Sequence, residues 1–381
     1  MIGRIAVCLL GVAYAAALHA QAPKRLPSIF GEMGVNWIVE VDGTVKAWGA
    51  RTPDASYFGD GTDDGKERKT PVEIPGLRDI AGGAAAMSHT LLVKRDGTVL
   101  AWGRNNGNCE LGVTDDRKRL TPIPVNGVRD AVQVAANETM SAAVLADGTV
   151  RVWGSPADGM FANGKSGRGE NCVPAPVAIE GLTGVKKLVL DNSALVLKAD
   201  GTVWGWGGND DGQLCDGTTE RRLRPVQMKG IANAVDIFID SRNSIVVLAD
   251  GSVRMCGRNI EGEMSTAPKG VKHVSPFTIP GITTAVAVTS AGTPMVRLKD
   301  GTLLGWGYGM HGSLGDGFND KVLPKPHAPI GLGPVLAHFY ASNGGYAIRA
   351  DGTVMAWGIY VGGPKEWALT PIPLFKVKLA D

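Results

Sequence analysis

The residues Gly159-Met160-Phe161-Ala162-Asn163-Gly164-Lys165-Ser166 fit the pattern G-x-x-x-x-G-K-[ST]. In a phosphate-binding loop, backbone N–H groups of the glycine-rich turn cradle phosphates, the lysine reaches them and the hydroxyl meets magnesium. Such a cradle needs a strand before it and a helix N-terminus after it. Gly167-Arg168-Gly169-Glu170-Asn171, which follows, is not a helix start, so nucleotide chemistry is not expected. Asp60-Gly61-Thr62-Asp63-Asp64-Gly65 carries oxygen ligands of the kind calcium takes, but Pro71 stands at position twelve, where a bidentate glutamate is required. His89, His273, His311, His327 and His338 are scattered without the H-E-x-x-H spacing of a zinc site. Ser166 is followed by Gly167-Arg168, not by the x-G of a nucleophile elbow. The sequence therefore predicts no catalytic residue, no metal and no cofactor. Arg117-Lys118-Arg119 and Arg221-Arg222-Leu223-Arg224 are flanked by Asp115, Asp116 and Glu220. They read as a solvated rim, not a nucleic-acid stripe. The formal net charge of only +2, from 39 basic and 37 acidic residues, supplies no global field for nucleic acid.

The elements that position these residues follow from a repeat. DGTVKAWG starts at Asp42, and related octapeptides start at Asp96, Asp147, Asp200, Asp250, Asp300 and Asp351. Asp-Gly between two apolar runs signals a β-hairpin, read here as a two-residue type I′ turn at Gly43, Gly97, Gly148, Gly201, Gly251, Gly301 and Gly352. Val99-Leu100-Ala101-Trp102 is typical of the strand that leaves each turn, with β-branched and aromatic residues suited to a pleated surface. Two further short strands flank each hairpin, one of them opening on Thr-Pro or Ala-Pro, as at Thr70-Pro71-Val72. Four short strands in about 50 residues make a propeller blade, and seven copies predict an all-β seven-bladed β-propeller. The 53 glycines agree with so many turns. Thr370-Pro371-Ile372-Pro373-Leu374 resembles Thr70 to Ile74, and no such strand precedes the first hairpin. The expectation is that the C-terminal strand pairs with the N-terminal blade and closes the ring.

The repeat also absorbs the opening motif. Gly159 lies six residues after Trp153, as Gly212 lies six after Trp206 and Gly312 six after Trp306. Gly164 matches Gly217 and Gly317, and Phe161 stands where Leu214, Met264 and Leu314 stand. The two glycines mark a blade loop around one apolar anchor.

Arg4 followed by the apolar run from Ile5 to Leu18 reads as a signal peptide cleaved after Ala20, with a short linker at 21–27 and the propeller at 28–381. No later segment has the length and apolarity of a membrane helix, so a soluble periplasmic or secreted monomer is expected. Of five cysteines, Cys8 leaves with the signal. The four remaining, Cys109, Cys172, Cys215 and Cys256, allow three full pairings.

The D-G-[TS]-V-x-x-W-G hairpins, the Gly-Gln-Leu-x-x-Gly loop at Gly212 to Gly217 and the Pro-x-x-[VI] strands resemble regulator of chromosome condensation repeats. The similarity runs from about Ser28 to the C-terminus. It implies a seven-bladed propeller, in an exported bacterial-type member of the group. The eponymous nuclear protein binds chromatin and promotes nucleotide exchange on a small GTPase, and exported propellers of similar repeat type include proteinaceous β-lactamase inhibitors. In the resemblance, Trp48, Trp102, Trp153, Trp206, Trp306 and Trp357 are structural, and Cys256 takes the same slot, where a small unpaired thiol is expected. Cys109 and Cys215 fall in matching loops, and Cys172 just before a Pro strand, so any bridge should join neighbouring blades as Cys109–Cys172 or Cys172–Cys215. Tyr57, Tyr308, Met310, His311, Tyr360 and Trp367 lie in or near the loops after the tryptophan strands, and aromatic residues and Met are enriched at protein interfaces. The favoured reading is non-enzymatic binding of a protein partner through one face of the ring. The alternatives are an enzyme or carbohydrate-binding propeller with a site at the central channel, and an inert structural module.

Overall fold

The computed structural model describes residues 25–32, 34–49, 57–167, 170–260, 262–290, 293–341, 344–359 and 367–380. The signal-peptide segment, most of the 21–27 linker and Tyr360 lie outside them. Within them the chain forms seven four-stranded antiparallel sheets, each built from consecutive strands. Blades one to seven span residues 28–73, 80–124, 131–178, 185–227, 234–278, 285–327 and 335–376. First strands of neighbouring blades pack on one another, and that of blade one packs on that of blade seven, so the ring is closed around a central channel. The fourth strands form the half-exposed outer edges and carry Pro71, Pro124, Pro176, Pro225, Pro276, Pro324 and Pro371. A proline at an outer edge forfeits no ladder bond and blunts the edge against further pairing.

The expected latch is not what closes the ring. The last strand, Trp367–Lys376, pairs with Thr353–Ile359 of its own blade. The reason lies in the phase of the repeat. Each Pro strand pairs with the tryptophan strand that precedes it, so blade one keeps its own fourth strand, Arg68–Glu73. Its first strand is Ser28–Glu32, whose Ser-Ile-Phe-Gly-Glu composition carries little strand signal. The seam between blades seven and one closes by packing. Ile29, Ile38 and Trp48 share a core with Tyr346, Ile348, Val354 and Ala356. The Trp48 ring meets Tyr346 edge-on at 6.0 Å and Phe375 at 5.2 Å, separations at which aromatic pairs attract.

The Asp-Gly turns also differ from expectation. Only the glycine adopts positive φ, for example +80° at Gly97. The pair Lys94 N–H to Thr98 O (2.8 Å) and Gly97 N–H to Lys94 O (3.0 Å) defines a three-residue loop ending in a bulge glycine. The aspartate accepts from the Thr two residues on, at 2.9 Å from Asp96 Oδ1 to Thr98 N. The turn then meets the next blade. The Gly97 carbonyl accepts from Ala131 N–H at 3.1 Å, and a Cβ on Gly97 would lie 2.5 Å from Asp130 Cα. Glycine is thus required twice there, for its φ and for the close approach.

The second tie between blades is made by the tryptophans. Trp102, Trp153, Trp206, Trp306 and Trp357 are fully buried, and each donates its indole N–H to a loop carbonyl of the preceding blade. The acceptors are Tyr57, Glu110, Met160, Glu263 and Ser313, at 2.6 to 3.0 Å. Trp48→Ala would empty the closing seam and should cost about 3–5 kcal/mol of stability, read by chemical denaturation. A loss below about 1 kcal/mol would show that this seam does not hold the ring shut.

Candidate functional site

In an up-and-down blade, the loops between first and second strands and those between third and fourth strands emerge on one face, here called the loop face. The Asp-Gly turns and blade-to-blade connections form the other.

The phosphate-loop look-alike lies in a third-to-fourth-strand loop. Ala157–Gly159 is a single 3₁₀ turn, and the chain runs on to the strand Val173–Ala178 with no helix between, among the described residues. Its glycines admit the neighbouring blade: a Cβ on Gly159 would meet Leu223, and one on Gly164 would meet the Arg224 guanidinium. In the acidic loop, Asp60 pairs with Arg68 and Asp63 with Lys118. Among the described residues, no group of three or more His, Cys, Asp or Glu is placed to hold a metal ion. The basic clusters are locally neutralised, with Arg117 and Arg119 on Asp115, Arg221 on Asp158 and Arg222 on Asp216.

A serine–histidine pair does occur, deep between blades two and three. His89 Nε2 lies 2.8 Å from Ser141 Oγ. Ser141 donates its hydroxyl to the Glu110 carbonyl at 2.8 Å, so the histidine must donate to the serine and cannot take its proton. Burial pushes the His89 ring down to about 3, keeping it neutral. All three residues are buried, so no substrate reaches them. Burial likewise pushes the Glu110 carboxyl up to about 8, against weaker hydrogen bonds that favour its charge, one of them from Ser88. Glu110 holds the loop place that Gln213 holds in blade four, where the amide donates to Ser193 and Ser241.

The four cysteines form two bridges, Cys109–Cys172 between blades two and three and Cys215–Cys256 between blades four and five. The first is one of the expected pairings. The second corrects the expectation of a free Cys256. The Cα atoms of Cys215 and Cys256 are 5.6 Å apart, normal for a disulfide, because the tryptophan slot faces the loop of the preceding blade.

Of the residues expected to contact a partner, Tyr57 is buried in the core between blades one and two, with its carbonyl on Trp102. It anchors its own loop and faces no solvent. Tyr308 and His311 are half-buried, while Met310 and Trp367 are 40% and 49% exposed. The Met310–Gly312 turn packs on the strand carrying Trp367, and a Cβ on Gly312 would meet Leu369. Ile260 stands at the place of Met310 in the preceding blade and is 46% exposed, with Val271 beside it at 43%. The matching tips of blades two and four carry Asn106 and Asp210. Exposed apolar residues therefore form an arc on the loop face over blades five to seven. Ile260 and Val271 were missed because each is a lone aliphatic residue in its own segment; only the repeat register puts them beside Met310 and Trp367.

At the channel mouth on this face lies a cavity of about 580 Å³. Glu32, Glu138, Asp158, Asp191 and Asp240 line it, with Leu190 and Phe238 as apolar wall. Burial, and then the nearby Asp240 and Glu138 charges, raise the Asp191 carboxyl above the usual range. Further in, side chains lace the first strands together. Gln133 forms a two-way pair with the Leu188 backbone, at 2.7 and 3.0 Å. Lys187 reaches Asp236 at 2.5 Å, and Asp236 accepts from Val288 N–H at 2.9 Å.

The model for the family described as Regulator of chromosome condensation (RCC1) repeat matches residues 96–144 and 200–246. The chain is 27% identical over 344 residues to the mouse Regulator of chromosome condensation, covering 81% of this chain and 80% of that protein. It is 28% identical over 269 residues to the Arabidopsis thaliana Ultraviolet-B receptor UVR8, covering 67% of this chain and 60% of the receptor. It is 29% identical over 288 residues to the human E3 ubiquitin-protein ligase HERC2, covering 71% of this chain but only 6% of the ligase. Among solved structures, yeast RCC1 (Prp20) bound to Kap60 superposes with a TM-score of 0.72 at 20% identity, covering 93% of this chain and 85% of that one. Human WBSCR16 superposes with a TM-score of 0.67 at 19% identity, over 84% and 85% of the two chains. These likenesses concern the fold.

The raised Glu110 carboxyl makes a directional prediction. Its folded value lies above the unfolded one, so its contribution is fully present below about pH 4.5 and is lost as pH rises through about 8. Glu110→Gln should be nearly neutral at pH 5 and gain about 2–4 kcal/mol over the native chain by pH 8.5, followed by denaturation at each pH. A difference that stays flat with pH would show Glu110 to be ionised in the fold.

Proposed function

The chain is a seven-bladed propeller of the regulator of chromosome condensation repeat family, and on that footing we propose that it binds a protein partner through its loop face, outside the cytoplasm, without catalysing a reaction. The observation that carries this reading is the exposed arc of Ile260, Val271, Met310 and Trp367. Clustered apolar and aromatic side chains on a rigid rim are what interfaces use. Glu138 and Asp191 at the channel mouth suit a partner that presents a lysine or arginine beside its apolar contact. The buried Ser141–His89 pair has no access and the wrong proton arrangement for catalysis. Relatives of the fold take protein partners, as in the structure of Kap60 bound to yeast RCC1.

Placement outside the cytoplasm is supported by the N-terminal signal pattern and by the pairing of all four cysteines that follow it, since such bonds persist in oxidising compartments. The partner's identity is open to capture from the envelope fraction of the native cell. The native chain should retain a protein that Met310→Asp/Trp367→Ala loses by about tenfold or more. Asp210→Ala, on the polar tip of blade four, should retain it. Equal capture by all three would remove the arc from the function. Recovery of the exported chain with Gln21 as its first residue, by terminal sequencing, checks the processing step; a chain still carrying residues 1–20 in the cytoplasm would reject it.

A further inference from the structure

We propose that the seam between blades four and five is a redox-controlled closure: the ring shuts there only when Cys215 and Cys256 are oxidised to their disulfide. Among the described residues, Trp102, Trp153, Trp206, Trp306 and Trp357 each donate an indole N–H across a seam to a loop carbonyl of the preceding blade. At the four–five seam the tryptophan slot holds Cys256, and the loop it faces holds Cys215. The acceptor that a tryptophan would use is the Gln213 carbonyl, at the place of Glu110, Met160, Glu263 and Ser313.

The packing tells the same story. Each of the other six core clusters contains at least one tryptophan: Trp206, Trp102, Trp306, Trp153, Trp48 and Trp357. The cluster between blades four and five, with Leu197, Leu214, Ile237 and Val246 around the two cysteines, contains no aromatic side chain. Two thiols fill far less of a seam than an indole does, and they supply no strong donor. Without the bond, the interior of this seam keeps only its aliphatic packing, while its rims keep Lys187 on Asp236 and the Gln213 amide on the Ser241 carbonyl.

The second bridge behaves differently. Blades two and three are joined by Cys109–Cys172 and also by Trp153 on the Glu110 carbonyl, 2.9 Å away. That bridge duplicates a tie; Cys215–Cys256 replaces one. In the closing step the two thiols give up two protons and two electrons to a disulfide-bearing oxidant, which leaves as a dithiol while the S–S bond forms. Cys215 and Cys256 are both 1% exposed, so once the seam is shut the bond is out of reach of soluble reductants. A chain held in a reducing compartment stays open at this seam, and oxidation locks it. The closure is a property of the chain itself and is tested independently of where the chain resides.

The test is hydrogen exchange, read by mass spectrometry, on the chain refolded with and without a dithiol reductant. In reductant the native sequence should exchange at least about tenfold faster over Ala234–Ile239 and residues 208–221, while Ala131–Ala136 stays protected. Cys109→Ser/Cys172→Ser should keep that redox difference. Cys215→Gly/Cys256→Trp, which restores the pattern of the other seams, should abolish it and stay protected in both buffers. Cys256→Ala gives a second reading and should be open at the seam even under oxidation. Equal protection of the seam in reduced and oxidised native chain overturns the proposal. So does loosening that spreads evenly over all blades, or a closed Cys256→Ala variant.

Discussion

A blade of this chain cannot bury its own faces. Each four-stranded sheet has two apolar sides, and only the sheets before and after it can cover them, so no blade is stable until the circle is complete. The indole that reaches back to a carbonyl of the previous blade is the physical expression of that dependence. It is large enough to fill the wedge between two twisted sheets, and its one polar atom is satisfied only if the neighbouring loop is in place. The loop then needs its own anchor, and Leu111, Phe161, Leu214, Met264 and Leu314 provide it, all buried. Glycines surround these anchors because the loop backbone lies against the next blade. What looked like a phosphate cradle at Gly159 and Gly164 is the imprint of that contact on the sequence.

Much of this was legible in the sequence because the repeat is written in residues with narrow conformational roles. Asp-Gly marks a reversal, Trp a seam, and Pro an outer edge. The reading went astray where a role was filled by a residue of another type. Ser28–Glu32 forms the first strand of blade one with neither alternation nor a rich β composition; it is held by pairing with Val35–Val39 and by packing on blade seven. The latch expectation rests on the phase of the Pro strand, which resembles a blade's start yet pairs with the tryptophan strand before it. The tryptophan slot of Cys256 points to a small unpaired thiol, yet that same slot brings it to Cys215.

The candidate face was legible only in part. Met310 and Trp367 stand out by type and by loop position. Tyr57 looked equivalent but is turned inward, since a lone aromatic in a glycine-rich loop can serve the core as easily as the surface. The acidic channel mouth was invisible, because Glu32, Glu138, Asp158, Asp191 and Asp240 come from four different blades and meet only when the ring forms.

The lacing of the inner wall has a mechanical consequence. Gln133, Lys187 and Asp236 occupy the same place on successive first strands and bind blades three, four, five and six into a braced segment. At that place in blades two, six and seven stand Gly82, Ala287 and Ala337, which have nothing to reach across with. At this position the wall of the bore is therefore laced by side chains along one side and not along the other. The apolar arc overlaps the last two laced blades and runs on to blade seven, so a molecule that lands on both Met310 and Trp367 straddles the end of the lacing.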